Sequence, residues 1–254
     1  LSAIASDKTE GELFLQFQPI IDIRTSSIYG FEALARLKDK RLGFISPLEF
    51  IPIAEKTKLI IPIGKKILRN ALTFLKRLNE KGYGSVCVSV NISAIELLRP
   101  DFPDVILGII SEVGVDPRNI CLEITESVFS SDYNAINNVI RKLRKEGIQL
   151  AIDDFGKGYS SLAREKELDV NCLKVDKCFI DKLMEIDAEK AITGDIISMA
   201  HKMGHYAVAE GVEHEKQLEY LKRHNCDKVQ GYLISKPLDE DKAIEFVENY
   251  KIEF

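Results

Sequence analysis

The amino-acid sequence predicts an α/β fold, a single (β/α)8 barrel, from three observations. Eight apolar, strand-like segments alternate with amphipathic helical patterns along nearly the whole chain. The apolar residues in these segments are consecutive, which is typical of parallel strands covered by helices. The length of 254 residues matches the roughly 250 residues of a typical barrel of this kind. We therefore expect one domain over residues 1–254, with its functional site at the carboxyl ends of the strands.

The first two strand candidates depart from this repeating pattern. Residues 13–21 and 27–35 are apolar segments joined by only a few polar residues. A crossover between parallel strands needs about a dozen residues or more, whereas a hairpin needs only a few. The sequence therefore predicts a barrel that is irregular at its start, with an antiparallel first strand.

Helical patterns occupy the stretches between the later strands. Ser46, Pro47 and Glu49 form the signature of a capping box with proline at the first helical position, which predicts a short helix to about Glu55. The next helix carries apolar residues at steps of three and four from Leu68 to Leu78. Further amphipathic stretches predict helices near residues 102–113, 133–146, 187–203, 214–224 and 241–250.

Composition and charge restrict the class of function. The net charge of −5 argues against a large basic surface for long nucleic acid, whereas clustered carboxylates favour cations. The five cysteines include no Cys-x-x-Cys pair, so we expect reduced core residues in a cytoplasmic protein. No apolar run approaches the ~18 residues of a membrane span. We expect residues 1–12 to be the remnant of a linker to a missing upstream sensor or regulatory domain.

The run over residues 150–161 is the most informative stretch for function. Asp153 and Asp154 lie where a buried strand ends, and a glycine-spaced turn follows them. Neighbouring strand residues point to opposite faces, so two adjacent aspartates can serve one site only if the backbone turns there. A loop with two solvated aspartates would show the same run. Five other strand-like segments also end in polar residues, and this recurrence favours a metal site: Glu32, Asn91, Glu123, Lys174 and Glu210.

The order of short motifs along the chain resembles the signature of the EAL-domain family. The motifs are Gln18-Pro19-Ile20, Glu32-Ala33-Leu34 followed by Arg36, Val90-Asn91-Ile92-Ser93, Leu122-Glu123-Ile124-Thr125-Glu126-Ser127, Asp153-Asp154-Phe155-Gly156, Leu173-Lys174-Val175-Asp176, Ala209-Glu210-Gly211-Val212-Glu213 and Gln230-Gly231-Tyr232. A lone Glu-Ala-Leu would carry no information, but eight motifs in the family's order span almost the whole chain. The resemblance implies a TIM-like barrel that hydrolyses the bacterial second messenger cyclic di-GMP to linear pGpG, using magnesium or manganese.

The resemblance also implies roles for the matching residues. It assigns one metal ion to Glu32, Asn91, Glu123 and Asp153, and a second to Asp153, Asp154 and Glu210. Two hard cations held close together by oxygen ligands suit the hydrolysis of a phosphodiester. Lys174 is implied to bind the nucleophilic water or a substrate oxygen, with Glu32 and Glu210 as further catalytic residues. Positions that contact the substrate or brace the metal ligands are matched by Gln18, Arg36, Asp176, Glu213 and Gln230.

The loop after Asp154 carries one departure from the family pattern. The resemblance implies that Glu126 anchors this loop, which is linked to metal binding and dimer contacts. Lys157 stands where the family usually has threonine or another small residue. A cation beside the second metal disfavours metal occupancy. We therefore expect Lys157 to reduce the efficiency of turnover more than substrate binding.

Two functions of different classes remain open on the sequence alone. The first is an active cyclic di-GMP phosphodiesterase. The second is a catalytically weak or inactive module that acts as a cyclic di-GMP receptor or binds a partner protein. Inactive members usually lack metal ligands, and none of the expected ligands is lost here, which favours the enzyme. The resemblance further implies a homodimer.

Overall fold

The computed structural model describes residues 1, 11–126, 128, 133–156, 169–185 and 190–250. Within these ranges the strands are β1 (Gly11–Asp22), β2 (Ser27–Asp39), β3 (Gly43–Ile45), β4 (Cys87–Asn91), β5 (Ile120–Thr125), β6 (Gln149–Phe155), β7 (Cys172–Val175), β8 (Tyr206–Ala209) and β9 (Lys228–Val229). The α-helices in the same ranges are α1 (Pro47–Lys56), α2 (Ile60–Glu80), α3 (Ala94–Leu97), α4 (Phe102–Val113), α5 (Tyr133–Lys145), α6 (Lys177–Glu185), α7 (Thr193–Lys202), α8 (Glu215–Arg223) and α9 (Glu240–Asn249).

The sheet closes into a barrel because β1 pairs with both β2 and β9. The closed ring runs β1-β9-β8-β7-β6-β5-β4-β2, and β3 is added to the outer edge of β2. Every pairing from β2 around to β9 is parallel. Only β1 runs antiparallel to its two neighbours in the ring. This arrangement confirms the predicted (β/α)8 barrel with an antiparallel first strand.

The hairpin of β1 and β2 contains a bulge that alters the barrel interior. The paired residues run from Gly11 opposite Asp39 to Asp22 opposite Ser27, with a register shift between Ile20 and Ile21. The shift leaves Tyr29 without an opposite residue on β1. A bulge of this kind re-aims the extra side chain. Here the Tyr29 hydroxyl reaches Tyr206 across the barrel, at 3.0 Å between the two oxygens.

The helices agree with the sequence in their main features and differ in detail. The Ser46 hydroxyl caps α1 by accepting a hydrogen bond from the Leu48 N–H at 3.3 Å. A reciprocal capping box forms at the start of α3, between Ser93 and Glu96. Helix α7 begins later than predicted, and the preceding residues 186–189 lie outside the described part of the chain. Helices α3 and α6 were not predicted, because each is too short to show a clear apolar period.

The barrel interior is lined by small and apolar residues below the polar strand ends. Side chains alternate along a strand, so residues two positions before a strand-end ligand point into the same interior. A buried cluster at this level contains Ile20, Cys87, Cys121, Ala151, Cys172 and Val208. Four of the five cysteines are buried as expected, but Cys178 on α6 is exposed. No helix in the described ranges is long and apolar enough to cross a membrane.

Candidate active site

Polar side chains from several strands meet at one mouth of the barrel. Glu32 lies on β2, Asn91 ends β4, Glu123 lies on β5 and Lys174 lies on β7. Asp153 lies near the end of β6, and Glu210 follows β8 directly. Because β2 and β4 to β8 are parallel neighbours, their carboxyl ends form one rim. The structure thus brings together the residues that the sequence placed at separate strand ends.

Lys174 is the centre of this group. Its ammonium nitrogen, Nζ, lies 2.6 Å from an oxygen of Glu123 and 2.7 Å from an oxygen of Glu210. Oxygens of Asp153 and Glu32 lie at 3.4 and 3.5 Å. The side chain of Lys174 is only 1% exposed. One buried ammonium therefore faces four carboxylates drawn from four different strands or strand ends.

Glu32 is held by amide groups on both of its carboxylate oxygens. Asn91 Nδ2 donates to Oε1 at 2.8 Å, and Gln230 Nε2 donates to Oε2 at 2.7 Å. Gln230 Nε2 also lies 3.1 Å from Gln18 Oε1, and Gln18 Nε2 donates to the Ser235 carbonyl at 3.1 Å. This chain of hydrogen bonds connects β1, β2 and β4 to the segment after β9. It fixes the orientation of Glu32 before any ligand arrives.

The two adjacent aspartates lie at a local distortion of β6. Asp154 has φ of +56°, a left-handed conformation that non-glycine residues rarely adopt. The pairing of β6 with β7 is irregular between Ile152 and Phe155. The Asp154 N–H donates to Asp153 Oδ1 at 3.0 Å. The backbone therefore turns at this pair, as it must for both carboxylates to serve one site, and such strain is commonly found at functional sites.

The carboxylates of the group differ in pKa because their burial and their charged neighbours differ. Burial would raise the pKa of Glu32, yet the Lys174 ammonium and the two amides hold that pKa below its usual value. Burial raises the pKa of Glu123 well above its usual value, and repulsion from Glu32 and Asp153 adds to this rise. For Glu210, burial raises the pKa to about 8, against the opposing influence of Lys174. A single ammonium does not compensate the buried negative charge.

The donor set fits hard metal cations through its chemistry and charge. Among the described residues, no group of three or more His, Cys, Asp or Glu side chains has the arrangement of a metal site. The Lys174 ammonium instead lies between the carboxylates, where oxygen ligands would converge. Carboxylate and amide oxygens are the ligands that Mg²⁺ and related cations prefer. The excess of buried carboxylates over ammonium groups is the observation that calls for a cation here.

Three other candidate residues have contacts of their own near the carboxyl ends of the strands. Arg36 donates through Nε to Gln16 Oε1 at 2.8 Å and through Nη1 to its neighbouring carbonyl, Ala35 O, at 3.0 Å. The Asp176 carboxylate accepts from the Cys178 N–H at 2.8 Å at the start of α6. Glu213 forms an ion pair with Lys177 at 2.9 Å. These contacts fix the orientation of the three side chains, and their roles towards a substrate stay predictions.

Glu126 contacts the start of the loop that follows the two aspartates. Its Oε2 accepts a hydrogen bond from the Gly156 N–H at 3.1 Å. The anchoring role that the resemblance implies for Glu126 concerns the loop that begins at this glycine, and it stays a prediction. Lys157 and the rest of that loop, through residue 168, lie outside the described residues.

Sequence reasoning missed Gln16 and Lys177, the polar partners of Arg36 and Glu213. Gln16 lies two residues before Gln18 and therefore on the same face of β1. That alternation was a signal that could have found it. Lys177 pairs with Asp181 one helical turn away, and with Glu213 and the Gly211 carbonyl, which lie more than 30 residues further along the chain. No local pattern indicates the contacts with Glu213 and Gly211.

The structure is a closed (β/α)8 barrel with one reversed strand, and its acidic group lies at the carboxyl ends of the strands, where barrels of this kind carry their functional sites. The model of the EAL domain family matches residues 2–237 of this chain. The chain therefore belongs to the EAL domain family.

Individual relatives and solved structures agree with this membership. The chain is 34% identical over 244 residues to the cyclic di-GMP phosphodiesterase NbdA of Pseudomonas aeruginosa, covering 96% of this chain and 31% of that protein. The structure of the MucR phosphodiesterase of the same organism in complex with c-di-GMP aligns with a TM-score of 0.86 and 33% identity, covering 91% of this chain and 94% of that one. The EAL domain of Mycobacterium smegmatis DcpA aligns with a TM-score of 0.79 and 32% identity, covering 94% and 97%. The chain spans about a third of the length of the curated relatives it matches.

Proposed function

We propose that this domain hydrolyses cyclic di-GMP to linear pGpG in a metal-dependent reaction. The single observation that carries the proposal is the group of four carboxylates, two buried and two partly buried, around Lys174 at the barrel mouth. Membership of the EAL domain family supports the choice of substrate, since relatives in that family bear the name of cyclic di-GMP phosphodiesterases.

The proposed metal ligands are those that the family resemblance implies. Two ions, Mg²⁺ or Mn²⁺, would be held by Glu32, Asn91, Glu123 and Asp153 on one side and by Asp153, Asp154 and Glu210 on the other. When bound, such ions neutralise charge on the phosphoryl group and activate water. The buried excess of negative charge supports this assignment, because hard cations are the partners such oxygen ligands prefer.

The residues of the chain then supply binding and orientation. Lys174 orients the attacking water or a phosphate oxygen of the substrate, because its ammonium is the central cation of the group. Glu32 is oriented by Asn91 and Gln230, and Glu210 shares in orienting the water. Arg36 binds a phosphate, since its planar guanidinium can donate two hydrogen bonds at once. Gln18, Asp176, Glu213 and Gln230 bind substrate or brace the ligands, and Glu126 anchors the loop after Asp154.

Regulation and assembly are part of the same proposal. The curated relatives are about three times as long as this chain. We infer that the domain works as a cytoplasmic homodimer whose turnover is set by a sensor or regulatory domain elsewhere in the polypeptide. The alternative function, a cyclic di-GMP receptor without turnover, predicts binding in the same pocket and no product.

The decisive experiment is incubation of the purified domain with cyclic di-GMP and Mg²⁺ or Mn²⁺, followed by chromatography for pGpG. We expect product with the wild-type domain and at least a hundredfold lower turnover with Glu32→Ala. The control is Glu49→Ala, which changes an exposed glutamate on α1 and should leave turnover unchanged. Circular dichroism checks that both variants fold.

Two outcomes would contradict the proposal. Binding of cyclic di-GMP with no pGpG from the wild-type domain would identify a receptor instead of an enzyme. Full turnover in a folded Glu32→Ala variant would show that the carboxylate group is not the site of the reaction.

A further inference from the structure

One edge of β1 has no partner strand over its first half. β1 pairs with β2 along its whole length, but with β9 only at Ile21 and Asp22. Nearer its start, Phe17 forms an isolated antiparallel bridge with Leu238, in which each N–H donates to the other residue's carbonyl, at 2.7 and 2.9 Å. The chain then turns away into α9. In the described part of the chain, no strand pairs with residues 11–16 on this side.

The bridge identifies the backbone groups that face this open edge. In an antiparallel ladder, successive residues direct their N–H and C=O groups alternately to one neighbouring strand and to the other. Phe17 directs both groups to Leu238 and therefore away from β2. The register of the hairpin is regular here, so Leu13 and Leu15 direct their groups the same way as Phe17. Unpaired groups in such a row are a template for a further strand.

The open edge lies in a groove with an aromatic wall. The groove has a volume of about 570 Å³, and its lining includes Asn70 and Thr73 of α2 as well as residues of the first three strands. Phe14 and Phe44 pack edge to face in it, with 6.2 Å between the ring centres. The Phe44 side chain is 70% exposed. A guest strand would therefore find apolar contacts for its side chains beside the backbone groups of β1.

The usual protection of a sheet edge is missing from this part of β1. Proteins commonly block an exposed edge with lysine, proline or a bulge. Residues 11–16 contain neither lysine nor proline, and their pairing with β2 has no bulge. Addition of a strand to such an edge is a recurring mode of peptide recognition, in which main-chain hydrogen bonds supply affinity and side-chain pockets supply specificity.

The charges along the groove indicate what kind of segment it would take. Its lining includes the carboxylates of Glu12, Asp239 and Glu240 and one ammonium group, that of Lys38. Glu240 is paired with Arg77, whereas Glu12 and Asp239 are exposed at the rim. A segment with lysine or arginine side chains would be attracted to this rim, and an acidic segment would be repelled.

We propose that this groove binds an extended, basic segment of a partner protein, which adds to β1 as a further strand. The segment pairs with the backbone groups of Leu13 and Leu15, and its apolar side chains pack against Phe14 and Phe44. Its lysine or arginine side chains lie near the acidic rim. Binding here goes beyond the proposed function and does not require turnover.

The probe for this groove is a fluorescently labelled hexapeptide of alternating lysine and valine, with a glutamate–valine hexapeptide as its matched control. Fluorescence anisotropy should show saturable binding of the basic peptide to the wild-type domain and no binding of the acidic one. A third peptide repeats the basic sequence with every backbone nitrogen methylated, so it keeps its charge but cannot donate to β1. Its affinity should be lower by about tenfold or more.

Variants of the domain test the position of the site. Glu12→Gln and Asp239→Asn should each weaken binding of the basic peptide by about two- to fivefold. Glu49→Gln, at an exposed glutamate of α1 outside the groove, is the matched control and should leave affinity unchanged. Leu13→Pro removes an N–H that faces the groove and is not bonded to β2, so it should weaken binding by about fivefold or more. Circular dichroism checks that each variant folds.

Several outcomes would overturn the proposal. Equal affinity of the methylated and unmethylated peptides would exclude strand addition, and equal affinity of the acidic and basic peptides would exclude a basic segment. Equal affinity of the wild type, Glu12→Gln and Asp239→Asn would place the peptide elsewhere on the domain. Sedimentation of the domain alone tests the other occupant, because a dimer that Leu13→Pro abolishes would show that a second copy takes this edge. None of these measurements uses cyclic di-GMP, so they stand apart from the test of the proposed function.

Discussion

At the scale of single residues, buried charge is the main feature that distinguishes this domain. Lys174 compensates only part of the negative charge of the carboxylates that it contacts. Glu32 keeps a low pKa because two amides and the ammonium outweigh the effect of burial. For Glu123 and Glu210 burial outweighs the ammonium, and their pKa values are raised. Neighbouring carboxylates of one type thus differ in ionisation through their partners. The same reasoning applies outside the site, at Glu96.

Glu96 is a buried carboxyl group between α3 and α2. It is 7% exposed and accepts a hydrogen bond from the Ser93 N–H at 3.2 Å. It packs against α2 at Gly64, where a Cβ would lie 1.8 Å from its Oε1. Burial raises the pKa of Glu96 from 4.5 to about 7, with Glu55 adding to the rise and Arg99 opposing it. Lys65 also lines this region.

The pH dependence of stability follows from that raised pKa. The folded state favours the neutral form of Glu96. The stabilisation that results from this preference is fully present below pH 4.5 and is lost as the pH rises to about 7. Glu96→Gln removes the titration while retaining an acceptor for the Ser93 N–H. We expect the stability of Glu96→Gln relative to the wild type to increase by about 3 kcal/mol between pH 4.5 and 8.

Urea unfolding at pH 4.5 and pH 8 measures this change. Glu49→Gln, at an exposed glutamate of α1, should show no such pH-dependent difference. A constant difference between wild type and Glu96→Gln at both pH values would contradict the assignment of a buried, neutral carboxyl group.

At the scale of elements, the alternation of side chains along the strands decides what each end of the barrel can do. On β5 and β7, Glu123 and Lys174 lie at the mouth, while Cys121 and Cys172 lie two residues lower in the apolar interior. The bulge in the first hairpin adds Tyr29 to the opposite end of the barrel. That end is closed by a second polar group, formed around Lys228 on β9.

Lys228 is a buried cation held mainly by aromatic rings. It is 7% exposed, and its Nζ lies 3.3 Å from the centre of the Tyr206 ring and 4.2 Å from that of Tyr29. Burial lowers the pKa of Lys228, which means that the site favours its neutral form more than water does. Contact with two rings offers about 2 kcal/mol each when desolvated. The desolvation of an ammonium costs several kcal/mol.

Because desolvation is the larger effect, we expect Lys228→Met to raise the free energy of unfolding by about 1 kcal/mol. Methionine fills a similar volume, and its sulfur contacts aromatic rings favourably. Lys228→Ala should instead lower the free energy of unfolding by about 2–4 kcal/mol, because it leaves a cavity. Both changes are measured by chemical denaturation at neutral pH. A loss of more than about 2 kcal/mol in Lys228→Met would show that the cation–π contacts dominate.

At the scale of the whole molecule, closure of the barrel concentrates the charges. The pairing of β1 with β9 brings Gln18 and Gln230 together, and Gln230 then reaches Glu32, which is 198 residues away in the chain. Bringing carboxylates from separate strands to one rim costs stability when no sufficient countercharge is present. Binding of a divalent cation would recover that cost, so metal binding and folding should be linked.

We therefore expect millimolar Mn²⁺ or Mg²⁺ to raise the melting temperature of the domain. At about one hundred times the dissociation constant, binding to the folded state contributes about 2.7 kcal/mol. For a domain of this size that corresponds to a rise of about 5–10 °C. Thermal unfolding followed by circular dichroism, with metal and with a chelator, measures the effect without any substrate.

Asp153→Asn is the matched variant for this prediction. Removing one carboxylate relieves repulsion in the metal-free domain, so its melting temperature with chelator should be at or above that of the wild type. Its response to metal should be much smaller, because the proposed bridging ligand is weakened. Identical melting curves for the wild type with metal and with chelator would contradict a metal site at this rim.

The candidate site could be located from the sequence because a short apolar run directly precedes each of its proposed metal ligands. Each proposed ligand ends an apolar run, and the carboxyl ends of parallel strands share one rim by geometry alone. The two aspartates required a backbone turn, and the structure has one, with Asp154 at φ of +56°. The family resemblance added the roles of Lys174 and Arg36, which no local pattern indicates.

The sequence by itself determined the alternation of strands and helices, the antiparallel first hairpin and the residues at the strand ends, because these depend on short-range periodicity and connection length. Only the tertiary structure decided the position of Lys174 between the carboxylates and the bulge that turns Tyr29 towards Tyr206. The physical reason is that these features depend on register and on contacts between residues far apart in the chain, such as Lys174 and Glu123, which are 51 residues apart. A local pattern specifies which face a side chain occupies, whereas barrel closure specifies what it meets there.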